Sequence, residues 1–480
     1  MSKTLLYITA CLLAACGGSA GSGSANTTQA DSKSDNAATA REAIDTSPMA
    51  GLGCSWQAAS EADLANIAFP DDAARYWVAL VPVTPGNRIR IDGRFPDARY
   101  FSFNSYDLAL RPTDALADTE VLAAAGEQNP FRVATVAKGG HYSAYLAFGA
   151  APETREAGVF FAGNIGIGPL STPNSVLVPI IYRVYVSAVG ERLDGGVGLP
   201  VLSIETTNGE QGLALPTCAE PILPTLGGNL PGLGLNELLL GQDYPDELLP
   251  LPFPTAAYPP RTRVFYGLPD TTIDIIGNAL PPTNQLPRES LPSTGSGGFL
   301  SNIHNAYTTS AFARQYGNLF LLRAKAPSWR GAPNIAFANE QVRYWSLCQN
   351  EFATQRYTAC RIDKNTPLDS EGYFTVAVSD AAERPVFATD EDGITWLPWG
   401  PYPDGLLLYR QMLAHPDFAK AIKHVPKGEA LEPTMGAFAP QVTYCRAVIF
   451  DQPGLTPRQR FDACAQDQIA AQQSTSARPK

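Results

Sequence analysis

The strongest constraint on how this chain folds is that it repeats itself. Arg99-Tyr100-Phe101-Ser102-Phe103, with Asp107 four residues further on, returns as Arg343-Tyr344-Trp345-Ser346-Leu347, with Glu351 four residues further on. Three more landmarks keep the same order about 240 residues apart. The run YWVALVPVTPGNR from Tyr76 is matched with NLFLLRAKAPSWR from Asn318, the stretch around Tyr142 with that around Tyr373, and Tyr182-Arg183 with Tyr409-Arg410. A chain built this way holds two related domains rather than one large core, and its 480 residues are enough for two.

The landmarks lie in strand-like runs. Residues 76–83, 88–92, 100–106, 142–148, 175–186 and 201–205 are rich in Val, Ile, Tyr and Phe, with Gly, Pro, Asn and Asp between them. The expected fold is all-β: two related jelly-roll-like β-sandwich domains, over 49–216 and 301–450, with few short helices. Residues 217–300 read as a Pro/Leu/Gly-rich connector. Ten prolines between Pro216 and Pro260 forbid a central strand or a long helix there. Helices are expected over 302–316, capped by Ser301 or Asn302, and over 456–472 within the C-terminal segment 451–480, with Pro457 in the first turn.

The N-terminus carries an address. Lys3 and the apolar run from Leu5 to Ala15 read as an export signal over 1–15, too short to span a bilayer. Leu13-Ala14-Ala15-Cys16 has the form of a bacterial lipobox, which makes Cys16 the expected lipidation site. Residues 16–48 are mostly Gly, Ser, Ala, Thr, Asn and Asp, a composition that cannot bury a core and reads as a tether. Gly17, rather than Asp, follows the pattern of lipoproteins sorted to the outer membrane. The expectation is an outer-membrane lipoprotein, facing the periplasm or the cell surface, whose membrane partner is reached through lipid alone.

Cysteine usage agrees with export. Beyond Cys11 and Cys16 there remain Cys54, Cys218, Cys348, Cys360, Cys445 and Cys464, enough for three disulfides and fifteen connectivities. Their order in the chain favours Cys54–Cys218, Cys348–Cys360 and Cys445–Cys464. No pair is spaced as C-x2-C and none has a nearby His, so no zinc or other metal site is expected, and no cofactor motif stands out. A net charge of −11 argues against a nucleic-acid partner.

The strings RYWSLCQNE, DSEGYFTVAVS, GITWLPWG and DGLLLYRQML, with GRFPDARYFSFNSYD and the NAY segment near Asn305, resemble an uncharacterised family of bacterial exported proteins. More distantly the chain resembles domain-of-unknown-function twelve-fourteen. That resemblance covers most of the chain after the tether. It implies a β-sandwich fold and carries no activity.

Candidate site residues divide by whether both halves keep them. Arg99 and Arg343, like Arg183 and Arg410, recur. They are read as structural cations pairing with Asp107 or Glu351 or capping strand carbonyls, the other reading being one anion site per domain. Trp396, Trp399 and Tyr402, in the turn WLPWGPY, occur in one half only and are the kind of aromatic display that grips a glycan or apolar ligand. Asp114, Asp118 and Glu120, and Asp390, Glu391 and Asp392, are carboxylate groups of the type that hold calcium. His304, at the start of the expected helix, with Ser301 and an unassigned acid, is the one hydrolytic set the sequence offers. The functional expectation is a lipid-anchored envelope protein binding an apolar or glycan ligand. The rival expectations are an exported hydrolase with its site between the domains, and an assembly component docked to another envelope protein.

Overall fold

The computed structural model describes residues 54–476 apart from 61–68, 108–110, 164–175, 191–192, 207–208, 210, 219–255, 257, 266–299, 330–339, 352–355 and 427. Cys16, the export signal, the tether and most of the connector lie outside the described residues.

The first half contributes β1 (Ala58–Ser60), β2 (Ala74–Val83), β3 (Asn87–Arg94), β4 (Ala98–Tyr106), β5 (Pro112–Ala117), β6 (Leu122–Ala123), β7 (His141–Ala147), β8 (Val159–Phe161), β9 (Val176–Ser187), β10 (Val201–Thr206) and β11 (Gln211–Leu215). The second contributes β12 (Thr262–Phe265), β13 (Asn305–Ala313), β14 (Leu319–Lys325), β15 (Tyr344–Asn350), β16 (Tyr357–Ile362), β17 (Tyr373–Ser379), β18 (Thr395–Pro398), β19 (Asp404–Met412) and β20 (Gln441–Cys445). Among the described residues there are three α-helices, all late in the sequence: α1 (Glu432–Met435), α2 (Ala447–Phe450) and α3 (Pro457–Ser476).

These strands form four sheets, two per half. One sheet of domain 1 runs β1-β2-β9-β4-β5, and its counterpart in domain 2 runs β12-β13-β19-β15-β16. The other sheet of domain 1 contains β10-β3-β7 with β8 on β7, and its counterpart runs β20-β14-β17-β18. In both halves one parallel pair, β7 with β8 and β17 with β18, interrupts an otherwise antiparallel arrangement. The nine strands of domain 2 share one topology with nine of domain 1, and β6 and β11 at the edges of the domain 1 sheet have no counterpart among the described residues.

This topology corrects one landmark. The strand from Tyr76 corresponds to β13, not to the run from Asn318, which corresponds to β3. Gly86-Asn87 and Gly317-Asn318 are the equivalent turn residues. Residues 302–316 are not an α-helix but a turn, then β13, hydrogen-bonded to β12 on one side and β19 on the other, and one 3-10 turn at Arg314–Tyr316. The Tyr307-Thr308-Thr309 run is β-branched and aromatic, and pairing on both edges outweighs the cap signal at Asn302. Domain 2 also begins inside the stretch read as connector, because Thr262–Phe265 supplies edge strand β12.

Each half has its own core between its two sheets. In domain 1, Trp77, Phe101, Phe103, Tyr142 and Tyr182 pack together, with Phe101 stacked on Tyr142 at 5.5 Å and Phe103 on Tyr182 at 5.1 Å. In domain 2, Phe312, Trp345, Phe374, Trp399 and Tyr409 do so, with Trp345 stacked on Phe374 at 5.1 Å. A separate apolar layer in domain 2 places Phe450, Phe461 and Cys464 from α2 and α3 over Leu319, Leu321 and Ala377. Helix α3 starts on a reciprocal cap: Gln459 N donates to Thr456 Oγ1 at 3.3 Å and Thr456 N to Gln459 Oε1 at 2.9 Å. The disulfides are Cys54–Cys218, Cys348–Cys360 and Cys445–Cys464, the last tying α3 to β20. Three disulfides mark an extracytoplasmic protein. No described helix is long and apolar enough to cross a membrane.

Candidate functional site

Alternation along the inner strands decides what faces what. In β4, Phe101 and Phe103 enter the core of domain 1, whereas Tyr100, Ser102, Asn104 and Tyr106 are buried on the opposite face. In β15, Trp345 and Leu347 enter the core of domain 2, whereas Tyr344, Ser346 and Cys348 are buried on the opposite face. A strand buried on both faces needs a second partner, and here each half provides it for the other. Tyr100, Ala117 and Tyr185 of domain 1 pack with Tyr344, Ile362 and Met412 of domain 2.

The polar contacts across this seam are reciprocal. Arg99 Nη1 donates to Asp363 at 2.6 and 2.5 Å, and Arg343 Nη1 donates to Asp118 Oδ2 at 2.7 Å. Asp118 directly follows β5 and Asp363 directly follows β16, so the two bridges occupy equivalent places with the domains exchanged. That is the pattern of an isologous two-fold interface, realised inside one chain. The Arg99–Asp107 and Arg343–Glu351 pairs expected from spacing do not form. Asp107 instead accepts from Arg111 Nε at 2.7 Å. A sequence spacing reports local neighbours, and these cations reach across to the other half.

The second pair of arginines follows the same rule. Arg410 Nη2 donates to the carbonyls of Phe69 at 2.5 Å and Pro70 at 3.1 Å, and Arg183 Nη2 donates to that of Leu300. Phe69 and Leu300 both have φ of +54°, in the left-handed region that residues with a Cβ avoid. Such a conformation costs on the order of 1–3 kcal/mol and persists where surrounding contacts fix it. Each carbonyl is fixed here by the arginine of the opposite domain. The residues that follow complete the seam. Tyr344 donates to Asp71 at 2.9 Å and Ser346 Oγ to Asp71 Oδ2 at 2.6 Å. In the mirrored place Asn302 Nδ2 donates to the Tyr100 hydroxyl at 3.2 Å, and that hydroxyl lies 2.7 Å from His304 Nδ1. Tyr106 donates to the Ser301 carbonyl at 2.8 Å.

Electrostatics follow from this enclosure. Burial, with Arg183 and Arg343 nearby, lowers His304 from 6.5 to about 4, so its ring is neutral at neutral pH. Burial and the Asp71 carboxylate push the Tyr344 phenol well up. Burial raises Asp363, and Arg99 opposes that rise.

The structure thus brings Arg99, Arg343 and His304 together at one seam and leaves Trp396, Trp399 and Tyr402 elsewhere in domain 2. Trp399 is 1% exposed and packs edge-on against Phe312 at 4.5 Å, so it is core rather than display. Trp396 Nε1 donates to Ser379 Oγ at 3.0 Å, with Arg384 over its ring. Arg314 fastens the turn, donating to the Gly400 carbonyl at 2.7 Å and the Tyr402 carbonyl at 3.2 Å while paired with Asp380. His304 Nδ1 faces Tyr100 rather than Ser301.

The carboxylates of the first group are committed separately, and of the second Asp390 faces Arg361 Nη2 at 3.4 Å and Asp392 accepts from Thr389 Oγ1 at 2.6 Å. Asp114 accepts from Arg155 and from Phe161 N, Asp118 from Arg343, and Glu120 from Ala117 N. Among the described residues, a carboxylate oxygen of Asp71 and the sulfurs of Cys348 and Cys360 lie within 4.8 Å of one another. Both sulfurs are bonded to each other and do not ligate. Sequence reasoning missed Asp118 and Asp363 as clamp partners. The signal available was an Asp placed just past the edge strands β5 and β16, in ALAD and ACRID.

No protein-family model and no curated protein matches the chain. Among solved structures it is similar to an uncharacterised protein of Burkholderia cenocepacia, at 13% identity and TM-score 0.39 over 80% of this chain and 79% of that one. It is also similar to the VPA0106 protein of Vibrio parahaemolyticus, at 14% identity and TM-score 0.34 over 79% of this chain and 90% of that one.

Proposed function

We propose that the chain is a lipid-anchored protein of the bacterial envelope that acts as a rigid binding and docking module. The observation that carries this reading is the reciprocal seam, in which the charged and phenolic groups between the domains are spent on closing them together. A seam filled by Arg99–Asp363, Arg343–Asp118 and the Asp71 and Asn302 networks favours a fixed scaffold over a hydrolase whose cleft lies between the halves. With Trp399 in the core, a ligand at the WLPWGPY turn would meet only Trp396 and Tyr402, so the outer surfaces of the two sandwiches become the favoured place for an apolar or glycan ligand or an envelope partner. Cys16 supplies the anchor in this reading, and the resemblance of the chain's motifs to an exported family supports it.

Two experiments test the proposal. Cys16→Ser is expected to move the protein from the membrane fraction to the soluble one, and retention in the membrane contradicts the anchor. Cross-linking in intact cells followed by mass spectrometry, with native mass spectrometry of the purified chain, is expected to return an envelope protein, a lipid or a sugar. Turnover of ester or glycoside substrates, abolished by His304→Ala, would overturn the scaffold reading.

A further inference from the structure

Arg183 and Arg410 hold equivalent places but meet different groups. Arg183 Nη1 donates to Asn104 Oδ1 at 2.6 Å, while Arg410 Nη1 lies 2.9 Å from Cys348 Sγ. Cys348 stands in β15 where Asn104 stands in β4. Directly opposite them are Cys360 and Ala115. A bonded sulfur is a weak acceptor, so the guanidinium gains little from it. A thiolate at the same position is a strong, charge-assisted partner. The two residues also differ in burial: Cys348 is 0% exposed, whereas Cys360 is 9% exposed and belongs to β16, the edge strand of its sheet.

We propose that Cys348–Cys360 is a thiol–disulfide exchange site, with Cys360 the sulfur attacked and Cys348 the leaving thiolate beside Arg410. A thiolate of a dithiol reductant attacks Cys360 Sγ, the Cys348–Cys360 bond breaks, and its electron pair leaves on Cys348 Sγ. The second thiolate of the reductant then attacks the reductant sulfur of the mixed disulfide. That closes the reductant's own disulfide and releases Cys360 as a thiolate, which takes up a proton. The protein gains two electrons and the dithiol loses two. The Asp71 carboxylate, close to both sulfurs, opposes charge on Cys348, but Tyr344 and Ser346 donate to it and Arg410 Nη1 stands 3.7 Å from its Oδ2. The state of this bond reaches the domain seam, because Asp363, which holds Arg99, lies three residues beyond Cys360.

The test uses the full chain equilibrated with reduced and oxidised dithiothreitol, alkylated and mapped by mass spectrometry. Arg410→Met is expected to raise the reduced-to-oxidised ratio needed to open Cys348–Cys360 by about tenfold, and Asp71→Asn to lower it. Simple loosening of the seam would make both variants easier to reduce, and that result, or no change in either, overturns the proposal. With glutathione, the trapped mixed disulfide in the unsubstituted protein is expected on Cys360, with Cys348 alkylated. Glutathione on Cys348 overturns it independently of how either variant folds.

Discussion

Arg343→Met is the most informative single change at the seam. It keeps most of the side-chain volume but removes the charge that faces Asp118. The Arg343 side chain is 6% exposed and that of Asp118 is 0% exposed, so water does not replace the lost partner. Removing one member of a buried ion pair costs about 3–5 kcal/mol. Asp118→Asn alone should cost less, roughly 1–3 kcal/mol, because Arg343 keeps Glu340 at 3.4 Å. The double change removes both charges and should recover most of the loss, leaving the protein within about 1–2 kcal/mol of the unsubstituted chain. Urea unfolding followed by tryptophan fluorescence, with the four members of the cycle measured together, gives the coupling. A cost below about 0.5 kcal/mol for Arg343→Met, or simple additivity in the double variant, would refute a clamp acting through this pair.

His304 gives a pH signature: the unfolded chain takes up its proton near 6.5 and the folded chain near 4, so stability is complete above pH 6.5 and falls by about 3 kcal/mol as pH drops to 4. Urea midpoints at pH 7 and pH 5 should show about 2 kcal/mol of this loss, and His304→Gln should reduce it. Replacing Cys445 and Cys464 by Ser opens a loop with a sequence separation of 19, which corresponds to about 3 kcal/mol, and should free α3 in hydrogen exchange before the sheets open. Gly405→Ala puts a Cβ 2.5 Å from the Phe312 ring and 2.7 Å from Gln349 Nε2, so a loss of roughly 1–3 kcal/mol is expected by thermal unfolding.

Much of the architecture was legible because strand alternation and the repeat are local signals. Phe101 and Phe103 against Tyr100 and Ser102 already describe a strand with two different faces. What the sequence concealed was that the polar face is buried as well, since Tyr, Ser and Asn look the same whether they meet water or another domain. Arg99 and Arg343 were visible as a repeated pair, but their partners lie 264 and 225 residues away, beyond any spacing rule. The region around β13 misled for a different reason. Asn302 offered a helix cap, yet its side chain serves the seam with Tyr100 and Asn104. The WLPWGPY turn read as display because sequence shows aromatic content, not direction, and Trp399 points inward.

The central claim is that reciprocal contacts hold the two halves in one fixed arrangement. Pulsed electron–electron distance measurement between spin labels at Glu153→Cys in domain 1 and Val386→Cys in domain 2, both exposed, tests it most directly. A single narrow distance is predicted, broadening when Arg99→Met and Arg343→Met are combined. A broad distribution with both arginines in place would contradict the account.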